Sequence, residues 1–310
     1  MKHVKKHNCR CKCIYCIFLL FIFITNTFAQ FRNISKKAII DDCRYSITYS
    51  YIFIRDTIKK EPRYDKQILE IGNKTSHYYS IYGDKLDSIY YNFSNNTKLH
   101  KPDKSGTDGI NPRAEARLKP NERPQYDNYY MNYPQAGTLT VITSMVFKEF
   151  IYEEPVPKFE WKIQADTMTV LGYKCMKATT MFRGRTYNVW FTPFIPIRQG
   201  PWKFNGLPGL ILKAADTKGY FEWTATGIEK SQNKNIYAYN FDKTKTQKTT
   251  RKDMINLLHK RWKDPVGLKF YLRPNAQSFS YKDNTGKIIT IDRNNIHNYQ
   301  STYIPIPELE

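Results

Sequence analysis

Gly200-Pro-Trp-Lys-Phe-Asn-Gly-Leu-Pro-Gly-Leu-Ile-Leu212 packs three glycines and two prolines into thirteen residues and then runs into an apolar triplet. Proline fixes φ and lacks an N–H donor, whereas glycine enters positive φ without a Cβ penalty. The spacing predicts a type II turn centred on Pro208-Gly209. Leu210, Ile211 and Leu212 then leave it as a buried strand. Such a corner implies a sheet, and the flanking sequence says which kind.

Upstream, Cys43, Tyr45, Ile47, Tyr49, Tyr51 and Phe53 recur at every second position, the pattern of a strand with one face on a core. Gln67–Gly72 and Ser76–Tyr82 read as a hairpin, and Lys85–Phe93 fits either a short helix or a strand. Residues 94–137 are rich in Asn, Pro, Gly, Lys and Asp, with tyrosines at 126–133. They read as a long flexible surface excursion, with a one- or two-turn helix after Asn111-Pro112. Leu139–Tyr152 returns to strand character. Phe159, Trp161, Ile163 and Ala165 alternate with charged and polar residues, as in a one-sided strand. Val170–Phe182 and Thr186–Thr192 flank a tight hairpin at Arg183-Gly184, and Tyr220–Ile228 adds another strand. Thr250–Lys263 is an amphipathic helix with Met254, Leu257, Leu258, Arg261 and Trp262 on one stripe, a Thr250 N-cap and a stop at Pro265. Lys269–Leu272, Ser278–Tyr281 and Lys287–Asp292 read as closing strands. Short consecutive strands joined by tight turns predict antiparallel neighbours. The expected fold is mainly β: a single large curved antiparallel sheet or half-barrel with one amphipathic helix and a long surface loop.

The N-terminus sets the expected compartment. Five basic residues precede the 11-residue apolar run Ile14–Ile24, and Thr27-Phe-Ala29 has small residues at the −3 and −1 positions before Gln30. This is the build of a cleaved signal peptide over residues 1–29, and the run is well short of the ~20 residues a spanning helix needs. The expectation is export to the periplasm or outer membrane, with no transmembrane span after cleavage and a single domain over 30–310. The segment carries five of the 49 basic residues and none of the 28 acidic ones, so cleavage lowers the net charge from +21 to about +16. No block of five or six like charges stands out, and no nucleic-acid partner is expected. Cys9, Cys11, Cys13 and Cys16 leave with the signal, so their spacing is not read as a metal site. Cys43 and Cys175 remain, and an oxidising compartment makes a disulfide between them the expectation.

No nucleophile elbow, zinc-helix motif, phosphate loop or dinucleotide fingerprint is present. His77, His100, His259 and His297 lack ligand spacing, and no metal or cofactor is expected. Asp41 and Asp42 are adjacent, so on a strand they point to opposite faces and do not share a site. Arg183, Arg185 and Lys203 either hold an anionic group or decorate a solvated hairpin tip. Trp161, Trp190, Trp202 and Trp223 either line an apolar groove or form plain core.

Trp161-Lys-Ile163, Gly172-Tyr-Lys-Cys-Met-Lys-Ala178, Tyr187-Asn-Val-Trp-Phe-Thr-Pro193 and the block from Gly200, Pro201, Gly206, Leu207, Pro208, Gly209, Leu210 and Ile211 to Leu212 follow one another in order. In this order they resemble the GLPGLI family, exported proteins of Gram-negative bacteria without an established activity. Gln67–Gly72 to Tyr82 and Ile304-Pro-Ile-Pro-Glu-Leu-Glu310 also look like family features. The β-rich pattern further resembles the half-barrel of periplasmic lipoprotein carriers, an analogy of fold alone. The function expected from these readings is non-catalytic binding of a lipid or other amphiphile at Trp161, Trp190, Trp202, Trp223 and Lys203. The alternatives are an accessory protein docking on an outer-membrane or periplasmic partner, and an enzyme whose site carries no recognisable motif.

Overall fold

The computed structural model describes residues 38–54, 60–95, 112–145, 148–238, 246–272, 274–275, 277–282 and 288–293. The expected signal segment, Asn284-Thr285-Gly286 and Ile304–Glu310 lie outside the described residues.

The chain is mainly β. The strands β1 (Ile39–Ile54), β2 (Pro62–Ile71), β3 (Ser76–Ser80), β4 (Asn128–Met131), β5 (Thr138–Met145) and β6 (Lys148–Pro155) supply one half of a twelve-stranded sheet. The other half is made by β7 (Lys162–Val170), β8 (Tyr173–Phe182), β9 (Arg185–Thr192), β10 (Leu210–Asp216) and β11 (Phe221–Tyr237), with β12 (Thr246–Lys248) added at the far edge. The order is β12-β6-β5-β4-β3-β2-β1-β11-β10-β9-β8-β7. The sheet is open, with β12 and β7 as its edges, and does not close into a barrel. Neighbours are antiparallel except at the β12 edge, where Thr246–Lys248 runs parallel to β6, so the sheet is mixed. β13 (Ser278–Lys282) and β14 (Ile288–Asp292) form a separate hairpin. The described helices are α1 (Ile81–Asn95), α2 (Pro112–Glu115), α3 (Arg251–Lys263) and α4 (Pro265–Leu272). None of them is long and apolar enough to cross a membrane.

The sheet wraps around the loop between β9 and β10. Trp202 lies 5.8 Å from Phe182 of β8, while the adjacent Lys203 places its Nζ 2.7 Å from Glu154 of β6. Those two strands stand nine places apart, a separation of about 43 Å in a flat sheet with 4.8 Å spacing. Two neighbouring residues reach both because the sheet curls over them. Trp202, Phe204 and Leu207 join the core built by Ile47, Tyr49, Leu69, Tyr187, Phe191 and Trp223. A second cluster, from Leu139, Val141, Phe150 and Tyr152, packs Met254 of α3 and Leu268 and Leu272 of α4 over β4–β6.

The corner at Pro208-Gly209 differs from the expected turn. The Gly209 N–H donates to Leu207 O at 2.8 Å, which closes a three-residue turn around Pro208. Gly209 does not adopt the left-handed conformation that a type II turn needs. Its glycine identity is steric: a Cβ there would sit 2.1 Å from Thr192 O. The expected strand at Leu210–Leu212 is present and fully buried. Arg183 and Gly184 both take positive φ, which fits a two-residue hairpin whose twist matches its strands.

Lys85–Phe93, which the sequence left open between helix and strand, is helical within α1. Other elements depart from the sequence reading. Val170–Phe182 is broken by a turn at Leu171-Gly172, both at positive φ. Ile163 is 49% exposed on the edge strand β7, where the register slips between Ile163 and Thr167, so the alternation does not translate into one buried face. Lys269–Leu272 is helical in α4, because Asp264 caps the turn after α3 and the helix restarts at Pro265. Asn128–Met131, inside the stretch read as an excursion, is an internal strand between β3 and β5.

The expected disulfide is absent: Cys43 and Cys175 are buried free thiols. Cys43 lies among Ser46 and Ser231 oxygens at 3.7 and 3.6 Å, where the β1–β11 register shifts. Cys175 belongs to β8, four strands away along the sheet, against a Cα limit of about 7 Å for a bridge.

Asp41 ties the β2–β3 turn to the start of β1. Its carboxylate accepts the N–H groups of Lys74 and Thr75 at 2.6 and 2.8 Å. Partial burial pushes its pKa upward, but the backbone donors of Thr75, Lys74, Asp42 and Asn73 outweigh that and hold it below the usual value.

Two predictions follow from these contacts. Gly209→Ala should destabilise the fold by about 1–3 kcal/mol through forced displacement of Thr192. Gly227→Ala, with nothing near its added carbon, should be close to neutral; equal melting shifts for both would refute the steric account. Since the Asp41 pKa is lowered on folding, its contribution is present above the unfolded value and lost as pH falls below about 4. Melting curves from pH 2.5 to 7 should show that acid loss in the wild type and a smaller one in Asp41→Asn.

Candidate functional site

The loop tip that fills the sheet also carries its deepest charge. Lys203 is 1% exposed, and its ammonium faces the rings of Tyr129, Tyr152 and Trp202 at 5.7–5.9 Å. Glu154 Oε1 accepts from it at 2.7 Å, and Arg183 Nη2 donates to Glu154 Oε2 at 2.5 Å. Arg251, the first residue of α3, stands 3.7 Å from the same oxygen. Arg183 is therefore docked on β6 rather than at a solvated hairpin tip. Arg185 is turned elsewhere, buried against Asp216 at 3.2 Å, so the three cations read together in the sequence do not converge.

Two further carboxylates occupy the inner face nearby. Asp127 receives the Thr143 hydroxyl and, at 3.2 Å, the Tyr129 hydroxyl. Burial raises its pKa despite those donors and the neighbouring Arg261 and Lys203. Asp65 is 3% exposed and accepts from four groups: Lys66 N, Gln67 Nε2, Ser80 Oγ and Gln125 N, at 2.7–3.1 Å. Burial outweighs those bonds and pushes its pKa up to about 7.

Asp65 lies beneath a surface cleft and joins its two walls. One wall is Tyr79, Ser80, Gly83, Asp84 and Asp87, where β3 runs into α1; the other is Gln125, Tyr126 and Asn128. Ser80 Oγ both donates to Asp65 and accepts the Gly83 N–H at 2.8 Å, so the same carboxylate steadies the start of α1 and the Gln125 backbone. Tyr126 is exposed at the rim. On the outer face of β3, His77 Nε2 meets Asn128 Oδ1 at 2.9 Å, and its ring is stacked between Tyr79 and Tyr130. The cleft thus offers an exposed tyrosine, Tyr126, beside carboxylates and carboxamides. It is suited to a ligand with apolar faces and polar edges.

The sequence-derived ligand residues lie mostly elsewhere. Trp202 and Trp223 are buried and stacked at 6.0 Å, and Trp161 bonds Asn205 O and packs on Phe159 and Phe204. Trp202 and Trp223 are core, and Trp161 packs partly buried against it, under the loop that carries the motif. Trp190 projects to the other face of β9, where Lys213 covers it at 6.0 Å. Of the expected ligand residues, Lys203 alone sits in a polar cluster, tied to Glu154. The sequence reading did not single out Asp65, Asn128 or Tyr126 as site residues, and it read His77 as packing or surface. Their one sequence signal was the tyrosine-rich run at 126–133.

The raised Asp65 pKa carries a stability consequence. The folded state keeps a proton that the unfolded chain has released, so this contribution is fully present below about pH 4 and declines as pH rises toward 7. Denaturant titrations from pH 4.5 to 8.5 should show that decline in the wild type and its loss in Asp65→Asn. A parallel pH dependence in both proteins would contradict the assignment.

Comparison with known proteins gives one matching family model and a set of similar solved structures. The family model described as N-glycanase peptide, N-terminal domain (PNGase F-II N) matches residues 115–255, less than half of the 310 residues. No curated protein matches. Similar solved structures include PNGF-II in space group P21, at 17% identity and a TM-score of 0.43, and PNGF-II in space group C2, at 14% and 0.42. They cover 71% and 77% of this chain and 34% of their own, so the chain spans about a third of their length. The GLPGLI resemblance drawn from Gly200–Leu212 is therefore corrected, since the family model that matches across this block, over residues 115–255, is the N-glycanase N-terminal one. The physical reason is that the motif encodes a local packing solution, Gly209 on Thr192 and Gly200 on Ile211, and such a corner does not by itself define a family.

Proposed function

We propose that the exported chain is a non-catalytic glycan-recognition module that binds sugar in the cleft between the start of α1 and the Gln125–Asn128 segment. The observation that carries this reading is the lining itself. Tyr126, exposed at the rim, offers a flat apolar face, the edge of Tyr79 lines the wall, and Asp84, Asp87, Gln125 and Asn128 offer hydrogen-bonding groups beside them. A pyranose presents C–H groups on its faces and hydroxyls on its edges, so it needs both kinds of partner at once. The likeness to an N-glycanase N-terminal domain supports a carbohydrate ligand over a lipid. Of the tryptophan rings on which the amphiphile reading depended, those of Trp161, Trp202 and Trp223 are occupied by core contacts.

The test is a binding array of N-linked oligosaccharides on the full exported chain, followed by calorimetry on the best binder. Tyr126→Ala and Asp87→Asn should each weaken binding by about three- to tenfold, the scale of one lost stacking or hydrogen-bonding contact. Trp202→Ala should instead lower stability. The glycan should be recovered intact by mass spectrometry. Absence of saturable binding defeats the recognition reading, and release of the glycan from its peptide defeats the non-catalytic part.

A further inference from the structure

Behind the cleft, the outer face of the sheet carries a row of polar side chains across β11, β1, β2, β3 and β4. Lys234 Nζ contacts Glu70 Oε1 at 3.0 Å and donates to Ser46 Oγ at 2.7 Å. The Tyr79 hydroxyl donates to the same Glu70 oxygen at 3.2 Å. Glu70 Oε2 stands 3.7 Å from His77 Nδ1. The His77 ring is clamped between Tyr79 at 4.3 Å and Tyr130 at 4.1 Å, nearly parallel to both, so it cannot turn about its Cβ–Cγ bond without displacing them. The far nitrogen, Nε2, meets Asn128 Oδ1 at 2.9 Å.

An amide oxygen only accepts, so Nε2 carries the hydrogen in this contact. With its oxygen committed to His77, Asn128 has its two N–H donors left. Among the described residues nothing is bonded to that nitrogen, and Asn128 lines the cleft. The opposite wall supplies Asp84 and Asp87.

We infer that His77 is a positioning residue that fixes the Asn128 carboxamide with its nitrogen toward the ligand, so that the cleft selects sugars bearing a carbonyl acceptor, such as an acylamino group, over their plain hydroxyl counterparts. A free carboxamide would rotate and serve either type of group. Held by His77, it presents donors only, and a carbonyl flanked by an N–H pairs with an Asn donor on one side and an Asp acceptor on the other. The choice of sugar rests on the glycan reading, whereas the orientation of Asn128 is a property of the ligand-free protein.

The experiment has two arms. In the first, long-range proton–nitrogen spectra of the full chain without ligand should show the hydrogen of His77 on Nε2; a bare Nε2 overturns the inference whatever the cleft binds. In the second, calorimetry compares N-acetylglucosamine with glucose. The wild type should prefer the acetamido sugar by about three- to tenfold, the range of one neutral hydrogen bond. His77→Leu should bring that ratio close to one, His77→Gln should restore part of it by keeping a side-chain N–H, and Asn128→Asp should abolish it by replacing donors with an acceptor. A ratio unchanged in His77→Leu, or equal wild-type affinities, overturns the selectivity. If neither sugar binds, the glycan reading and its selectivity fall together, and the first arm alone decides the orientation.

Discussion

An ammonium group at 1% exposure has lost almost all of its water, and in this protein the Glu154 carboxylate and the surrounding rings make up for that loss. Lys203 comes from a turn between β9 and β10, and Glu154 from the opposite end of the sheet. Burying either charge alone would cost several kcal/mol. The pair is satisfied only if β6 comes to the loop, which requires the intervening strands to curl. Trp202 and Phe204, carried by the same loop, fill the space that the curl encloses. The ion pair therefore selects a geometry, while the aromatic packing around it supplies the free energy.

The curl also determines where chemistry is accessible. Its concave side is filled by the loop, by α3 and by α4, so Trp161, Trp202 and Trp223 are consumed in closing it, while Trp190 lies on the other face. What stays reachable is the rim where β3 passes into α1 and the chain re-enters at Gln125. Asp65 holds both walls of that rim from below through Ser80 Oγ and Gln125 N. Its burial makes the arrangement costly as an anion, and its four donors make it equally poor as an apolar site. This is the balance that places its titration near neutrality.

The two faces of β3 share the work. Tyr78 and Ser80 point inward to Gln67 and Asp65, whereas His77 and Tyr79 point outward to Glu70 and Asn128. Five consecutive buried residues on so short a strand hide the difference between its two faces, which explains why simple alternation gave no hint of a site there.

Much of the fold was written locally. Period-2 runs marked β1 and the β2–β3 hairpin, Arg183-Gly184 marked a two-residue turn, and Thr250 with Asp253 marked the start of α3, because each depends on residues within a few positions of one another. Local rules misjudged Gly209, whose missing Cβ answers to Thr192 seventeen residues away, and Cys43, whose surroundings depend on a register shift against β11. They also missed β4, a four-residue strand inside a polar stretch that becomes a strand because β3 and β5 flank it. The site belongs entirely to this second class. Asp65, His77, Tyr126 and Asn128 carry no spacing that marks them, since their meeting is set by strand order and curl. The sequence alone determined that this chain makes a sheet with a Pro-Gly corner; tertiary structure decided which side chains that sheet buries, because burial and charge pairing are properties of residues far apart in the chain.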